Sequence, residues 1–274
     1  MSLHEVFIND VRVPYEVEGS TKVGREEVLL AQDDDLTQKC SWHKKGYTIL
    51  PFLRQQQFQQ LSEGLLQLFA GIVAENTSID LDQFNPAHYH RHVDDAAHAR
   101  IISQTRQCFS LDQLPIPPEI IWERISEVLR IAVSSTNPRG VDPVFCLRIV
   151  RPGAMSDNNP PHKDIYLDRL RDGINIYVPL IGSNERSSLP ILPGSHLLPE
   201  KLIERTESGS KINGLPFTVP CITTLKGEPV RMVRPNPGRN EMLLFSPYLV
   251  HGGGYNLNDD MTRISLEMRF FREF

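Results

Sequence analysis

The sequence predicts an α+β, mainly β chain in which helices brace one side of a sandwich or barrel of short strands. Three observations carry this. Between Leu53 and Ala74, the residues Phe58, Leu61, Leu65, Leu68, Phe69 and Ile72 recur at steps of three and four, the period of a helix with one apolar face. A second stripe, Ile120, Ile121, Ile125, Val128, Leu129 and Val133, follows the break Pro115-Ile116-Pro117-Pro118. Beyond residue 143 the texture changes to short β-rich runs separated by Gly, Pro, Asn and Asp. Helices first and strands afterwards is the order of an α+β arrangement.

Taken in order, Phe7 to Val13 carries an Asn9-Asp10 turn signal between β-prone pieces and predicts a small hairpin. Asp33-Asp34-Asp35 is an acidic loop without the spaced oxygen ligands of a calcium site. Gly46 to Leu50 reads as a strand, and Pro51 separates it from the first helix. His88, His90 and His92, with His98 beyond, form a histidine-rich stretch. On a helix His88 and His92 would share a face, but no carboxylate or thiol completes a ligand set, and a polar wall of a substrate pocket is the better functional reading. The second helix is expected to stop at Asn137-Pro138-Arg139-Gly140. Strands are expected at 144–150, 174–180, 215–222, 230–234, 241–245 and 262–271.

Composition bounds the function. The chain has 274 residues, 40% hydrophobic and 23% charged, ordinary values for a globular protein with a sizeable core. The net charge of −5 argues against a nucleic-acid groove, which needs clustered Lys and Arg. Residues 1–140 hold thirteen basic and nineteen acidic side chains, whereas residues 141–240 hold thirteen and ten. That basic lean fits an anionic substrate or cosubstrate. Arg169, Arg171, Arg231 and Arg234 are the arginines expected near a pocket framed by residues 80–110, 165–173 and 197–240. Cys40, Cys108, Cys146 and Cys221 are widely spaced, with no disulfide or zinc pattern, which fits a reducing compartment. Without a signal-like start or a long apolar run, a cytoplasmic protein with no membrane partner is expected.

The chemistry-bearing stretch is Pro160-Pro161-His162-Lys163-Asp164. The prolines exclude helix, and in an extended segment side chains two apart point the same way, so His162 and Asp164 converge while Lys163 faces away. His251 stands after the strand Met242 to Phe245 and before Gly252-Gly253-Gly254, a permissive backbone. Two histidines and one carboxylate bind one face of iron(II) and leave its other positions open. In Thr262 to Phe270, alternation puts Ile264, Leu266, Met268 and Phe270 on one face and Arg263, Ser265, Glu267 and Arg269 on the other. Arg263 offers a planar fork for a carboxylate and Ser265 a second donor.

These residues resemble the iron(II) and 2-oxoglutarate dependent dioxygenases, specifically the phytanoyl-CoA dioxygenase-like family. The resemblance rests on His162-Lys163-Asp164, Leu192-Pro193-Gly194-Ser195-His196, and His251 followed by Arg263-Ile264-Ser265, across residues 143–271, with Gly46 to Pro51 similar to the family's N-terminal opening. It implies a double-stranded β-helix, or jelly-roll, cupin-like in build, as a single domain over 1–274. Residues 1–142 would supply the helical buttress and N-terminal strands, and 143–274 the core with the metal site. It implies that His162, Asp164 and His251 ligate iron and that Arg263 and Ser265 hold the distal carboxylate of 2-oxoglutarate. Asn175 and Tyr177 would line the cosubstrate or substrate side, Tyr177 where many members carry Trp. His196 is a rival iron ligand, but it belongs to the Pro-Gly-Ser-His turn and no Arg-x-Ser strand follows it at the right interval. Asp164 in place of Ala or Gly disfavours a halogenase. The implied activity uses O2 and 2-oxoglutarate to hydroxylate or otherwise oxidise a small-molecule metabolite, releasing succinate and CO2. An epimerase or desaturase on the same scaffold, and a non-catalytic jelly-roll binding protein, are the alternatives.

Overall fold

The chain begins with the hairpin that Asn9-Asp10 implies. β1 (Ser2–Ile8) and β2 (Val11–Glu18) pair antiparallel, with Ile8 opposite Val11. Asn9 and Asp10 take φ of 46° and 63°, the two left-handed positions of a tight hairpin turn. The structure, a computed structural model, describes residues 1–32, 35–108, 113–139 and 145–273. Asp33 and Asp34 of the acidic loop, Gly140 of the expected helix stop, and Val144 at the expected start of a strand lie outside the described residues.

β3 (Thr21–Val23) and β4 (Tyr47–Pro51) precede helix α1 (Gln55–Asn76). Phe58, Leu61, Leu65, Phe69 and Ile72 are buried, as their period predicts, but Leu68, at the edge of the stripe, is 41% exposed. Helix α2 (Asp95–Cys108) has no counterpart in the sequence reading. Its inward side includes His98 and Thr105 beside Ala97 and Ile101, so no apolar stripe announces it. Helix α3 (Glu119–Leu129) stops earlier than expected, at Arg130 with φ 56°. Val133 leaves the helix for β5 (Val133–Ser134), drawn off by pairing with the end of the last strand.

The remaining strands are β6 (Phe145–Val150), β7 (Gly173–Ile181), β8 (Ile203–Thr206), β9 (Lys211–Ile212), β10 (Leu215–Pro216), β11 (Ile222–Leu225), β12 (Val230–Met232), β13 (Glu241–Phe245) and β14 (Arg263–Arg272). The single strand expected over 215–222 is thus two short ones, β10 and β11, because Pro216 and Pro220 remove ladder donors. The largest sheet runs β4-β13-β7-β14, and the far edge of β14 takes both β6 and β5. Smaller sheets run β10-β9-β2-β1-β12 and β11-β8-β3. β4 pairs with β13, and β1 with β12, so strands from before residue 142 complete sheets whose other members follow it.

β14 divides core from site. Ile264, Leu266, Met268 and Phe270 pack with Leu147, Ile176, Val178 and Leu244 against Phe58, Leu61, Leu65 and Phe69 of α1 and Ile121 and Ile125 of α3. The other face of the sheet carries Tyr177, Leu243 and Phe245, packed with Leu189, Ile191 and Leu249. Bridges from Ile191 to Val233 and to His251 tie that face toward the smaller sheets. The architecture is a mainly β jelly-roll with helices against one outer face. Among the described residues, no helix is long and apolar enough to cross a membrane.

Phe69 is fully buried against Phe84 and Tyr89. Phe69→Ala is expected to cost about 3–5 kcal/mol in urea unfolding, whereas Leu68→Ala is expected to cost no more than about 0.5 kcal/mol.

Candidate metal centre

Pro160 and Pro161 hold their segment extended, and His162 meets His251 as an isolated antiparallel bridge. Each backbone N–H donates to the other's carbonyl, at 2.9 and 3.0 Å. Directly opposed residues in such a pair project to the same face, which brings the two imidazoles to a centroid separation of 4.4 Å. Lys163 continues the extended path, and Asp164 opens a short 3-10 turn whose N–H donates to the Pro247 carbonyl. Asp164 Oδ1 lies 3.4 Å from His162 Nε2 and 3.6 Å from His251 Nε2. The three side chains are buried, with ligand atoms within 4.8 Å of one another.

The tautomers are set by the backbone. His162 Nδ1 lies 2.7 Å from the Pro160 carbonyl and His251 Nδ1 2.9 Å from that of Leu249. A carbonyl only accepts, so each Nδ1 carries a proton, and in the neutral ring each Nε2 directs a lone pair at Asp164. Burial, with His162 and Arg269 nearby, lowers the His251 pKa to about 4, against the pull of Asp164. Three electron-rich atoms therefore face one another in a dry site, an arrangement that a cation relieves. Gly252 allows the approach. Its φ is 105°, and a Cβ there would stand 2.5 Å from the Pro160 oxygen and 2.9 Å from His162 Nδ1.

The second carboxylate oxygen is occupied. Asp164 Oδ2 accepts from Asn175 Nδ2 at 2.7 Å, from Arg269 Nε at 2.9 Å and pairs with Arg269 NH2 at 2.8 Å. Asn175 and Arg269 reach it together because they are directly opposed in the β7–β14 register. Burial would raise the Asp164 pKa, but Arg269, joined by His251 and His162 when these are protonated, outweighs it and holds the carboxyl well below its ordinary range. Only Oδ1 is left to face the histidines.

Next along β14, Glu267 stands opposite Tyr177 of β7 and Cys146 of β6, and Ser265 opposite Arg148. Arg148 Nε donates to Glu267 at 3.5 Å. Arg263 and Ser265 are buried rather than water-facing, which excludes an ordinary solvated strand face. Arg263 donates from NH1 to the Ser187 carbonyl at 3.0 Å and sits 5.9 Å from the Tyr177 ring. Its Nε, the Ser265 Oγ and the Asn175 Oδ1 are buried with no hydrogen-bond partner among the described residues. Asn175, Tyr177, Arg263, Glu267 and Arg269 line one cavity with His162 and His251, of about 50 Å³.

Other expected residues lie elsewhere. The Lys163 ammonium, facing away from the histidines, pairs with buried Glu200 at 2.8 Å. His88 and His90 fall in a 3-10 segment, Pro86–Arg91, with His92 as its cap, and His90 binds Thr262 and Asp260. His98, on α2, bonds the Tyr89 hydroxyl and Asp157 and lines a second cavity. His196 belongs to a separate group with Asp35 and His43, where its Nε2 donates to the His43 carbonyl and Asp35 accepts from Thr37 and Ser246. Arg169, Arg171, Arg231 and Arg234 do not line the cavity before the histidines, contrary to expectation. Arg234 is buried on the Ser188 and Tyr255 carbonyls, and Arg231 covers Phe7. The arginines at the site are Arg148, Arg263 and Arg269. Alternation along β14 put Arg269 on the polar face, but its contact with Asp164, and the presence of Arg148, required the strand register.

No family model and no curated protein matches the chain. Among solved structures it is similar to EvdMO1, at 18% identity and TM-score 0.46 over 85% of this chain and 48% of that one, so it spans about half of that protein's length. It is also similar to AviO1 from Streptomyces viridochromogenes Tue57, at 17% identity and TM-score 0.45, covering 90% of this chain and 96% of that one. A third similar structure is EctD from S. alaskensis with 2-oxoglutarate and 5-hydroxyectoine, at 12% identity and TM-score 0.47, covering 93% and 84%.

Arg269→Leu is expected to raise the Asp164 pKa, read by NMR titration of the metal-free carboxyl. A carboxyl depressed on folding stabilises the fold above its unfolded pKa and loses that contribution as pH falls. The variant should therefore be about 3 kcal/mol less stable than wild type at neutral pH, with the gap narrowing below about pH 4.

Proposed function

We propose that the protein is an iron(II)- and 2-oxoglutarate-dependent oxygenase of a small molecule, similar to the phytanoyl-CoA dioxygenase-like family. The observation that carries this reading is the convergence of two Nε2 lone pairs and a single free carboxylate oxygen in a buried cavity. The orphaned Arg263 Nε at the same cavity, with the orphaned Ser265 Oγ two residues along β14, fits a missing anionic partner. His162, His251 and Asp164 would hold iron(II), which with 2-oxoglutarate and O2 would supply oxidation of a substrate C–H bond with release of succinate and CO2.

The protein's own part is orientation and exclusion of water. Arg269 and Asn175 keep Asp164 Oδ2 occupied, so Asp164 offers a metal one oxygen and leaves room for other ligands. The carbonyls of Pro160 and Leu249 hold each imidazole in its ligating tautomer. Arg263 supplies the fork for the far carboxylate of the cosubstrate, with Ser265 beside it. Arg263 Nε has no partner among the described residues, so a donor is free for that carboxylate while NH1 stays on the Ser187 carbonyl. Phe245 and Leu189 form the apolar side of the site. Hydroxylation, desaturation and epimerisation share these requirements, and product mass assigns which of them occurs.

Under anaerobic conditions, iron(II) and 2-oxoglutarate together are expected to give a visible charge-transfer band that is lost in His162→Ala. Arg263→Gln should retain the band but weaken the apparent 2-oxoglutarate affinity by about 10- to 100-fold. A wild-type protein that gives no band would falsify the assignment.

A further inference from the structure

A second cavity, of about 410 Å³, adjoins the first and shares Arg148, Asp157 and Asn159 with it. It lies between α2 and β6, an edge strand whose pairing is with β14. Its volume is that of a small-molecule site. Ile102 of α2 and Leu147 and Ile149 of β6 give it apolar walls, and its charged groups are unevenly matched. Arg151 is fully engaged, by Asp157 at 2.9 Å and Asp95 at 2.8 Å. His98 adds a contact to Asp157 at 3.3 Å. Arg148 has one long hydrogen bond, to Glu267, which leaves most of its N–H donors unused. Arg106, exposed at the other side of the cavity, has no ion pair or hydrogen bond among the described residues.

Across both cavities five guanidiniums, those of Arg106, Arg148, Arg151, Arg263 and Arg269, face three lining carboxylates, with Asp164 behind as a fourth. The two charges of iron(II) and the two of 2-oxoglutarate cancel, so loading the site leaves the cationic excess in place. Arg148 and Arg106 also act on one spot, since both favour the thiolate of Cys146, whose pKa is nonetheless raised by burial and Glu267. Cys146 lines the same cavity.

We propose that the α2–β6 cavity is an anion-binding subsite for the substrate, in which Arg106 and Arg148 hold the carboxylate or phosphate of a small organic acid whose apolar body lies against Ile102, Leu147 and Ile149. The assignment of that anion as substrate rests on the oxygenase reading.

The test uses hexanoate, hexyl phosphate and neutral hexanamide as probes, with binding followed by ligand-observed NMR on the full chain. Either acid should bind about tenfold more tightly than the amide, and the tighter acid identifies the headgroup. Arg106→Gln and Arg148→Gln should each remove most of that preference while leaving hexanamide binding unchanged. Arg106→Glu, a change at an exposed position, should shift the preference toward hexylamine. Equal binding of acid and amide by wild type, or an acid preference untouched by both Gln variants, overturns the subsite. With Mn(II) and 2-oxoglutarate added, the bound acid's protons should relax faster in wild type and not in His162→Ala. Arginine-dependent binding without that enhancement upholds the anion subsite and overturns the metal reading instead.

Discussion

The site depends on how the two oxygens of Asp164 are divided. Oδ2 takes the Asn175 amide and the Arg269 guanidinium, and Oδ1 is thereby turned to the two imidazoles. A buried carboxylate held by a single donor would be free to turn about its bond. Here the donors come from two central strands in fixed register, so the carboxylate plane is part of the sheet's geometry. The histidines are constrained as firmly, by a reciprocal backbone bridge and by carbonyls that dictate which ring nitrogen is protonated. The centre is therefore built before any metal arrives.

The same strand supports both the fold and the chemistry. One face of β14 joins the apolar layer under α1 and α3, and the other presents Arg263, Ser265, Glu267 and Arg269 in a row. Burial of the apolar face fixes the register, because a slip of one residue would exchange the two faces. Stability of the helix-backed core and alignment of the polar row are consequently one requirement. Gly254 adds a local condition, since a Cβ there would come within 2.8 Å of the Arg263 guanidinium.

Patterns that repeat locally were legible in the sequence. The Asn9-Asp10 hairpin, helix α1, the strand Glu241–Phe245 and the convergence of His162 with Asp164 follow from turn chemistry and from periods of two and four. Features set by long-range packing were not. Helix α2 turns His98 and Thr105 inward, so its buried side lacks an apolar period. The early end of α3 reflects pairing of Val133 with Arg272, far along the chain. Arg148 and Arg269 read as ordinary strand arginines until the register sets one opposite Ser265 and the other opposite Asn175. The arginines picked for their place in the basic half, such as Arg234, proved to be braces on backbone carbonyls.

The central claim is that one carboxylate oxygen and two Nε2 atoms form a preorganised iron site. Anomalous diffraction at the iron edge, from crystals loaded anaerobically with iron(II), tests it most directly. The account predicts one strong peak bounded by His162 Nε2, His251 Nε2 and Asp164 Oδ1, with Oδ2 still on Arg269 and Asn175. A peak at the Asp35, His43 and His196 group instead, or an Asp164 that has left Arg269 to bind iron through both oxygens, would contradict it.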